Sequence, residues 1–175
     1  CMSGFEQPIG PFKEGEPITN SQAPSATPDE PLHETMSVAG VVWRNGTGLM
    51  AHRPASSQSE LANKWEFVGG KVANNEGPAV ALRREFMEEL GVSIHVGPLF
   101  YRGSFQHKDT HFTLQAFLVH LQSEEFTLTE HDEVRWLTVD EMVGLDMASS
   151  DYGIVEYLMY HPDGPAVRQD APAFK

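Results

Sequence analysis

Residues Gly70 to Val92 read GKVANNEGPAVALRREFMEELGV. Ala79, Leu82, Phe86 and Leu90 recur at helical spacing and form one apolar stripe. Glu85, Glu88 and Glu89 fall at i, i+3 and i+4, so their side chains converge beside that stripe. Pro78 suits a first helical turn and Gly91 suits the residue just past a helix end, which predicts a helix from about Gly77 to Leu90. Three converging carboxylates repel one another. A hard divalent cation resolves that conflict, and Mg²⁺ takes carboxylate, carbonyl and water oxygens, often with substrate phosphates completing its shell. An ordinary amphipathic helix with a solvated acidic face is the plainer reading. It needs neither the Gly69-Gly70 turn ahead of the helix nor the Arg84-Glu85 pair within it.

Outward from the helix, the pattern alternates between strands and turns. Ser37 to Arg44 is a valine-rich strand, Asn45 to Gly48 a hairpin turn, and Leu49 to Arg53 the returning strand. A polar loop over Pro54 to Lys64 leads to a short strand at Trp65 to Phe67. After the helix come strands near Ile94 to Val96, Leu99 to Gln106, His111 to Leu121 and Val134 to Leu137. Thr138 and Glu141 have capping-box spacing for a short helix, and Asp151 to Tyr160 reads as the last helix. Strands around one central helix, followed by a final helix, indicate an α+β layered domain.

The chain has 175 residues, enough for one domain with a real core, and a net charge of −13. Its longest basic run is Arg83-Arg84, which argues against a nucleic-acid polymer as partner. The single cysteine, Cys1, excludes an intrachain disulfide and fits a reducing, cytoplasmic setting. No apolar run approaches the about 20 residues needed to span a bilayer. Residues 1–34 hold six of the twelve prolines and read as an irregular leader; residues 162–175 read as a tail.

Gly70, Glu76, Arg84-Glu85, Phe86, Glu88-Glu89, Gly91 and Val92 fit the signature GX5EX7REUXEEXGU at every fixed position, where U is apolar. The chain therefore resembles the Nudix hydrolases over residues 35–161. The resemblance implies an α/β/α sandwich around a mixed sheet. It also implies hydrolysis of a nucleoside diphosphate linked to another moiety, with Mg²⁺ or Mn²⁺ as cofactor and a small nucleotide as partner; relatives are often homodimers. Glu85, Glu88 and Glu89 would hold the metal, with backbone oxygen from Gly69 or Gly70. Arg84 can pair with Glu88 and orient it. Glu76 reads as a group at the helix start that caps it or meets its dipole. The general base is open between a helix glutamate and a downstream acid. Glu130, in the loop Thr129-Glu130-His131-Asp132-Glu133, stands where relatives often carry that acid. His131 is a rival by chemistry, but reads as a surface loop residue.

Within the family, Asn63 to Lys71 (NKWEFVGGK) resembles the NKxEFPGGK segment of the MutT-like branch, with Val68 where proline is usual. That branch removes pyrophosphate from nucleoside triphosphates, often damaged ones. The resemblance puts Arg53, Glu66, Phe67, Lys71 and Asp151 at the substrate, with Asp151 reading the base. An ionised aspartate only accepts hydrogen bonds, so it favours an N–H edge such as the cytosine amine or the N7–H of an 8-oxo-purine. A helix N-cap is the plainer role for Asp151. Phe67, Phe105 and Tyr152 are candidates to stack on a base, or else core. Nucleotide-sugars, ADP-ribose and dinucleotides are alternative substrates. A non-catalytic nucleotide-binding module is a further alternative, against which stand the intact Glu85, Glu88 and Glu89.

Overall fold

A computed structural model describes residues 10–11, 34–107 and 109–165. Most of the expected leader and tail therefore lies outside the described residues. In chain order the elements are β1 (Gly10–Pro11), β2 (Glu34–Val41), β3 (Trp43–Arg44), β4 (Thr47–His52), β5 (Trp65–Glu66) and β6 (Val68–Lys71). Then follow α1 (Pro78–Leu90), β7 (Ile94–His107), β8 (Thr110–Leu121), β9 (Glu133–Leu137), α2 (Val139–Val143) and α3 (Tyr152–Met159). A 3₁₀ turn over Ser149–Asp151 leads into α3.

The main sheet has strand order β1-β7-β8-β2-β6. It is mixed: β2 runs parallel to β8 and antiparallel to β6. In the second sheet, Gly48 of β4 pairs with both Trp43 and Leu137, and Ala51 with both Glu66 and Val134. Thus β9 takes one edge of β4 while β3 and β5 share the other.

Side-chain alternation along β2 separates two cores. Val38 and Val42 pack with Ala81, Leu82, Phe86 and Leu90 of α1. Ala39 and Val41 point the other way, toward Ile154, Val155 and Leu158 of α3. Helix, sheet and helix form three layers, the α/β/α arrangement expected. Burial of Ala81, rather than the expected Ala79, completes the α1 stripe.

Local signals explain the element ends. Pro78 opens α1, and Gly91 closes it at φ 68° with its N–H on the Met87 carbonyl. The capping box between Thr138 and Glu141 is formed. The Gly69-Gly70 turn expected ahead of the helix lies within strand β6, paired with β2, and three further expectations change. The strand expected over Ser37 to Arg44 is two strands, because the chain passes from one sheet to the other at Val42. The turn after it needs only Asn45-Gly46, both at positive φ (52° and 77°), as a two-residue hairpin requires. The two strands expected between Ile94 and Gln106 are one, with register shifts between Val96 and Tyr101 around Gly97-Pro98. No helix among the described residues is long and apolar enough to cross a membrane.

Candidate active site

Two adjacent glycines of β6 set the geometry. Gly69 lies so close to β2 that a Cβ there would sit 1.9 Å from the Val38 carbonyl oxygen. A Cβ on Gly70 would sit 1.8 Å from Glu85 Oε2. The Glu85 carboxylate thus rests directly on the β6 backbone. Only glycine at these two positions brings α1 carboxylates and strand backbone together.

Arg84 organises the outer side of α1. It donates from Nη1 to Glu88 Oε1 at 3.1 Å and from Nη2 to the Lys71 carbonyl at 3.1 Å. It also grips Glu76, Nε donating to Oε2 at 3.1 Å and Nη2 to Oε1. Glu76 accepts a further bond from the Ala73 N–H at 2.9 Å. The Arg84 hydrogen bonds hold the Glu76 carboxyl below its usual pKa, helped by that N–H. Glu76 is therefore not the helix cap: Gly77 is, without any side-chain hydrogen bond. The acid ties the β6–α1 loop to Arg84 instead.

Arg53 organises the inner side. Its Nε donates to Glu66 Oε2 at 2.6 Å, its Nη1 to Glu130 Oε2 at 3.1 Å and its Nη2 to Glu89 Oε1 at 3.4 Å. Glu66 Oε2 also meets His131 Nε2 at 2.8 Å. His131 is only 4% exposed, not the surface residue the sequence indicated. It sits in a run of polar and charged residues whose pattern carries no sign of burial. Its partner Glu66 is 65 positions away and itself 6% exposed.

A cavity of about 220 Å³ opens beside this network. Arg53, Glu66, Phe67, Gly69, Gly70, Lys71 and Asp151 all line it, as do Phe105 and Phe112, which stack face to face at 4.9 Å. The cavity brings the expected substrate residues together. Glu89 and Glu130 reach it through Arg53 and Glu85 through Gly70, whereas Arg84 and Glu88 do not line it. Ser59, Leu61 and Phe112 also line it, though nothing local in the sequence marks them. Tyr152 does not line it and is 44% exposed. Lys71 Nζ lies 5.7 Å above the Phe112 ring. Asp151, 2% exposed, does not cap α3 with its side chain; its Oδ2 accepts the Phe67 N–H at 3.0 Å.

Burial dominates the electrostatics. It pushes Glu89 up to about 9, with Glu66 and Glu85 adding repulsion that Arg53 only partly offsets. Burial raises Glu85 to about 7, against the pull of Arg84 and with repulsion from Glu88 and Glu130. Asp151 rises to about 7 by burial and by repulsion from Glu66. Burial opposes the Arg53 charge, yet its pairing with Glu66, Glu130 and Glu89 holds it above the usual arginine range.

This donor set suits a hard cation. Glu89 Oε2 is buried with no hydrogen-bond partner, and Glu85 and Glu89 crowd charge that a cation would relieve. Glu66, Glu89 and His131 also offer ligand atoms within 4.8 Å of one another, the one grouping that tight among the described residues. Glu85, Glu88 and Glu89 stand further apart, Glu88 being drawn to Arg84.

Residues 34–158 match the NUDIX domain family. The chain belongs to the Nudix family. It is a Nudix hydrolase, and members of the family use divalent metal ions. It is 36% identical over 124 residues to a CTP pyrophosphohydrolase of Escherichia coli K12, covering 70% of this chain and 89% of that protein. It is 30% identical over 111 residues to an 8-oxo-dGTP diphosphatase of the same strain, covering 63% and 84%. The solution structure of the E. coli ORF135 protein superposes with a TM-score of 0.65 at 29% identity, covering 78% of this chain and 96% of that one.

Proposed function

We propose that this Nudix hydrolase cleaves a nucleoside triphosphate to the monophosphate and pyrophosphate with Mg²⁺, acting on oxidised or modified nucleotides. One observation carries the reading: a single cavity is lined both by Phe67 and Asp151 and by Gly70 and Arg53, the residues against which Glu85 and Glu89 of α1 rest. The names of its E. coli relatives, a CTP pyrophosphohydrolase and an 8-oxo-dGTP diphosphatase, agree with it.

In this reading Glu85, Glu88 and Glu89, with carbonyl oxygen from Gly69 or Gly70, hold the cation. Bound there, the cation supplies charge neutralisation for the polyphosphate and activation of water. Arg84 orients Glu88 through its 3.1 Å bond. Lys71, at the cavity wall, meets phosphate. Glu130 takes the proton from the water that attacks one phosphorus, and pyrophosphate leaves. Phe67 and Phe105 bound the base, Glu66 lines its site, and Asp151 reads its edge. The oxygen-rich donor set admits Mn²⁺ as well.

The test is release of pyrophosphate against phosphate with Mg²⁺ over a panel of substrates. The panel holds ordinary and 8-oxo nucleoside triphosphates, methylated dCTP, ADP-ribose, a UDP-sugar and a diadenosine polyphosphate. The expected result is pyrophosphate plus a monophosphate from one or a few triphosphates. Turnover confined to a linked diphosphate would move the protein to another branch, and binding without turnover would make it a sensor. Glu89→Gln should remove most of the Mg²⁺-dependent rate while the circular dichroism spectrum stays native. A wild-type rate in that variant would sink the metal assignment.

A further inference from the structure

The loop carrying Glu130 is pinned on both sides of that residue. Thr129 Oγ1 donates to the Glu88 carbonyl at 2.9 Å, and the Asp132 N–H to the His52 carbonyl at 3.0 Å. Between them, His131 is locked into the interior by Glu66. The Glu130 side chain itself is 64% exposed, and among the described residues Arg53 Nη1 is its one hydrogen-bond partner. An exposed glutamate without that bond would sample many rotamers. Arg53 has the opposite character. Its side chain is 13% exposed, and each of its three guanidinium nitrogens already donates to a different carboxylate. One rigid fork therefore spans Glu66 on the cavity wall, Glu89 on α1 and Glu130 on the loop.

We propose that Arg53 is a positioning residue: it fixes the Glu130 carboxylate relative to Glu89 and acts on turnover through Glu130, rather than by contacting the substrate. The inference rests on the proton-abstracting role given to Glu130 above. It assigns Arg53 a different task from the substrate contact implied by family resemblance. A lysine keeps the charge but, as a single ammonium on a flexible stem, cannot span three carboxylates.

The experiment is a double-mutant cycle of R53K and E130Q on the full chain, read in kcat, KM and the Kd of the product monophosphate by calorimetry. Thermal melting checks folding, and R53Q stands in if R53K melts too low to assay. R53K should lower kcat on the order of 10–100-fold while monophosphate Kd stays within about twofold, because proton transfer loses its aim and binding does not. The R53K/E130Q double variant should be no slower than E130Q alone, since the arginine works through the glutamate. Monophosphate binding weakened about tenfold or more by R53K, or losses that multiply in the double variant, would overturn the proposal and leave the Glu130 assignment standing. A wild-type rate for E130Q would remove the Glu130 role and the proposal with it.

Discussion

Asp151 shows how burial changes the chemistry of an ordinary carboxyl group. Its carboxyl is raised to about 7 by burial first and by Glu66 second, while the Phe67 N–H pulls the other way. The folded pKa lies above the unfolded value of 3.8, so the folded state holds the extra proton between those values. The resulting stability is complete below the unfolded pKa and is lost as pH rises through about 7. Asp151→Asn keeps an oxygen for the Phe67 N–H and removes the titration. The variant's stability relative to wild type should grow between pH ~5 and pH ~8, by an amount on the order of a few kcal/mol. Urea unfolding at both pH values measures this, and parallel pH curves for the two proteins would disprove it. The same titration bears on recognition: the protonated acid can donate to a base edge, whereas the ionised one only accepts. Substrate ranking should therefore shift with pH across neutrality in wild type and stay fixed in the variant.

The β6 strand separates stability from chemistry in two neighbouring positions. An alanine Cβ at Gly69 meets fixed backbone, the Val38 oxygen at 1.9 Å and Ala39 Cα at 2.8 Å. β2 and β6 would have to part, at a cost on the order of 1–3 kcal/mol or more. At Gly70 the same methyl meets the far end of the Glu85 side chain, which can swing away. Gly70→Ala should therefore melt near wild type yet lose kcat on the order of 10–100-fold, because a displaced carboxylate is costly to catalysis. Gly69→Ala should melt markedly lower. Equal melting points for the two variants would refute the distinction. The α1 element was legible because its period, its proline start and its glycine end are all local signals. The partners of its carboxylates were not. Nothing local shows that Glu89 is 5% exposed, that Glu66 faces it, or that His131 closes the network, because Arg53, Glu66, Glu89 and His131 meet only through the fold. Asp151 was placed at the substrate by resemblance. Its bond to Phe67, 84 positions away, appears only in three dimensions.

At the scale of the whole molecule, a net charge of −13 means that an anionic substrate must be drawn in by local groups such as Lys71 and a bound cation. The catalytic unit is proposed to be residues 35–161, with the leader and tail outside it. The topology refines where the leader can be cut. Glu34 is already paired with His111 at the start of the eight-residue register between β2 and β8, so a cut must spare it. Further upstream, Gly10 and Pro11 pair with Ser104 and Gly103 on the outer edge of β7. Phe105, the next residue of β7, lines the cavity. Deleting residues 1–33 removes no group assigned to chemistry, so kcat/KM should stay within about twofold of the full chain. It does uncover the β7 edge, and an uncovered edge is a template for another strand. The truncated chain should melt slightly lower and self-associate more with rising concentration, seen by light scattering during gel filtration. A loss of activity beyond about tenfold in monomeric, folded material would show that the leader contributes to the site and would overturn the division at residue 35. Unchanged activity with unchanged association would keep the division and assign the β1–β7 pairing no protective role.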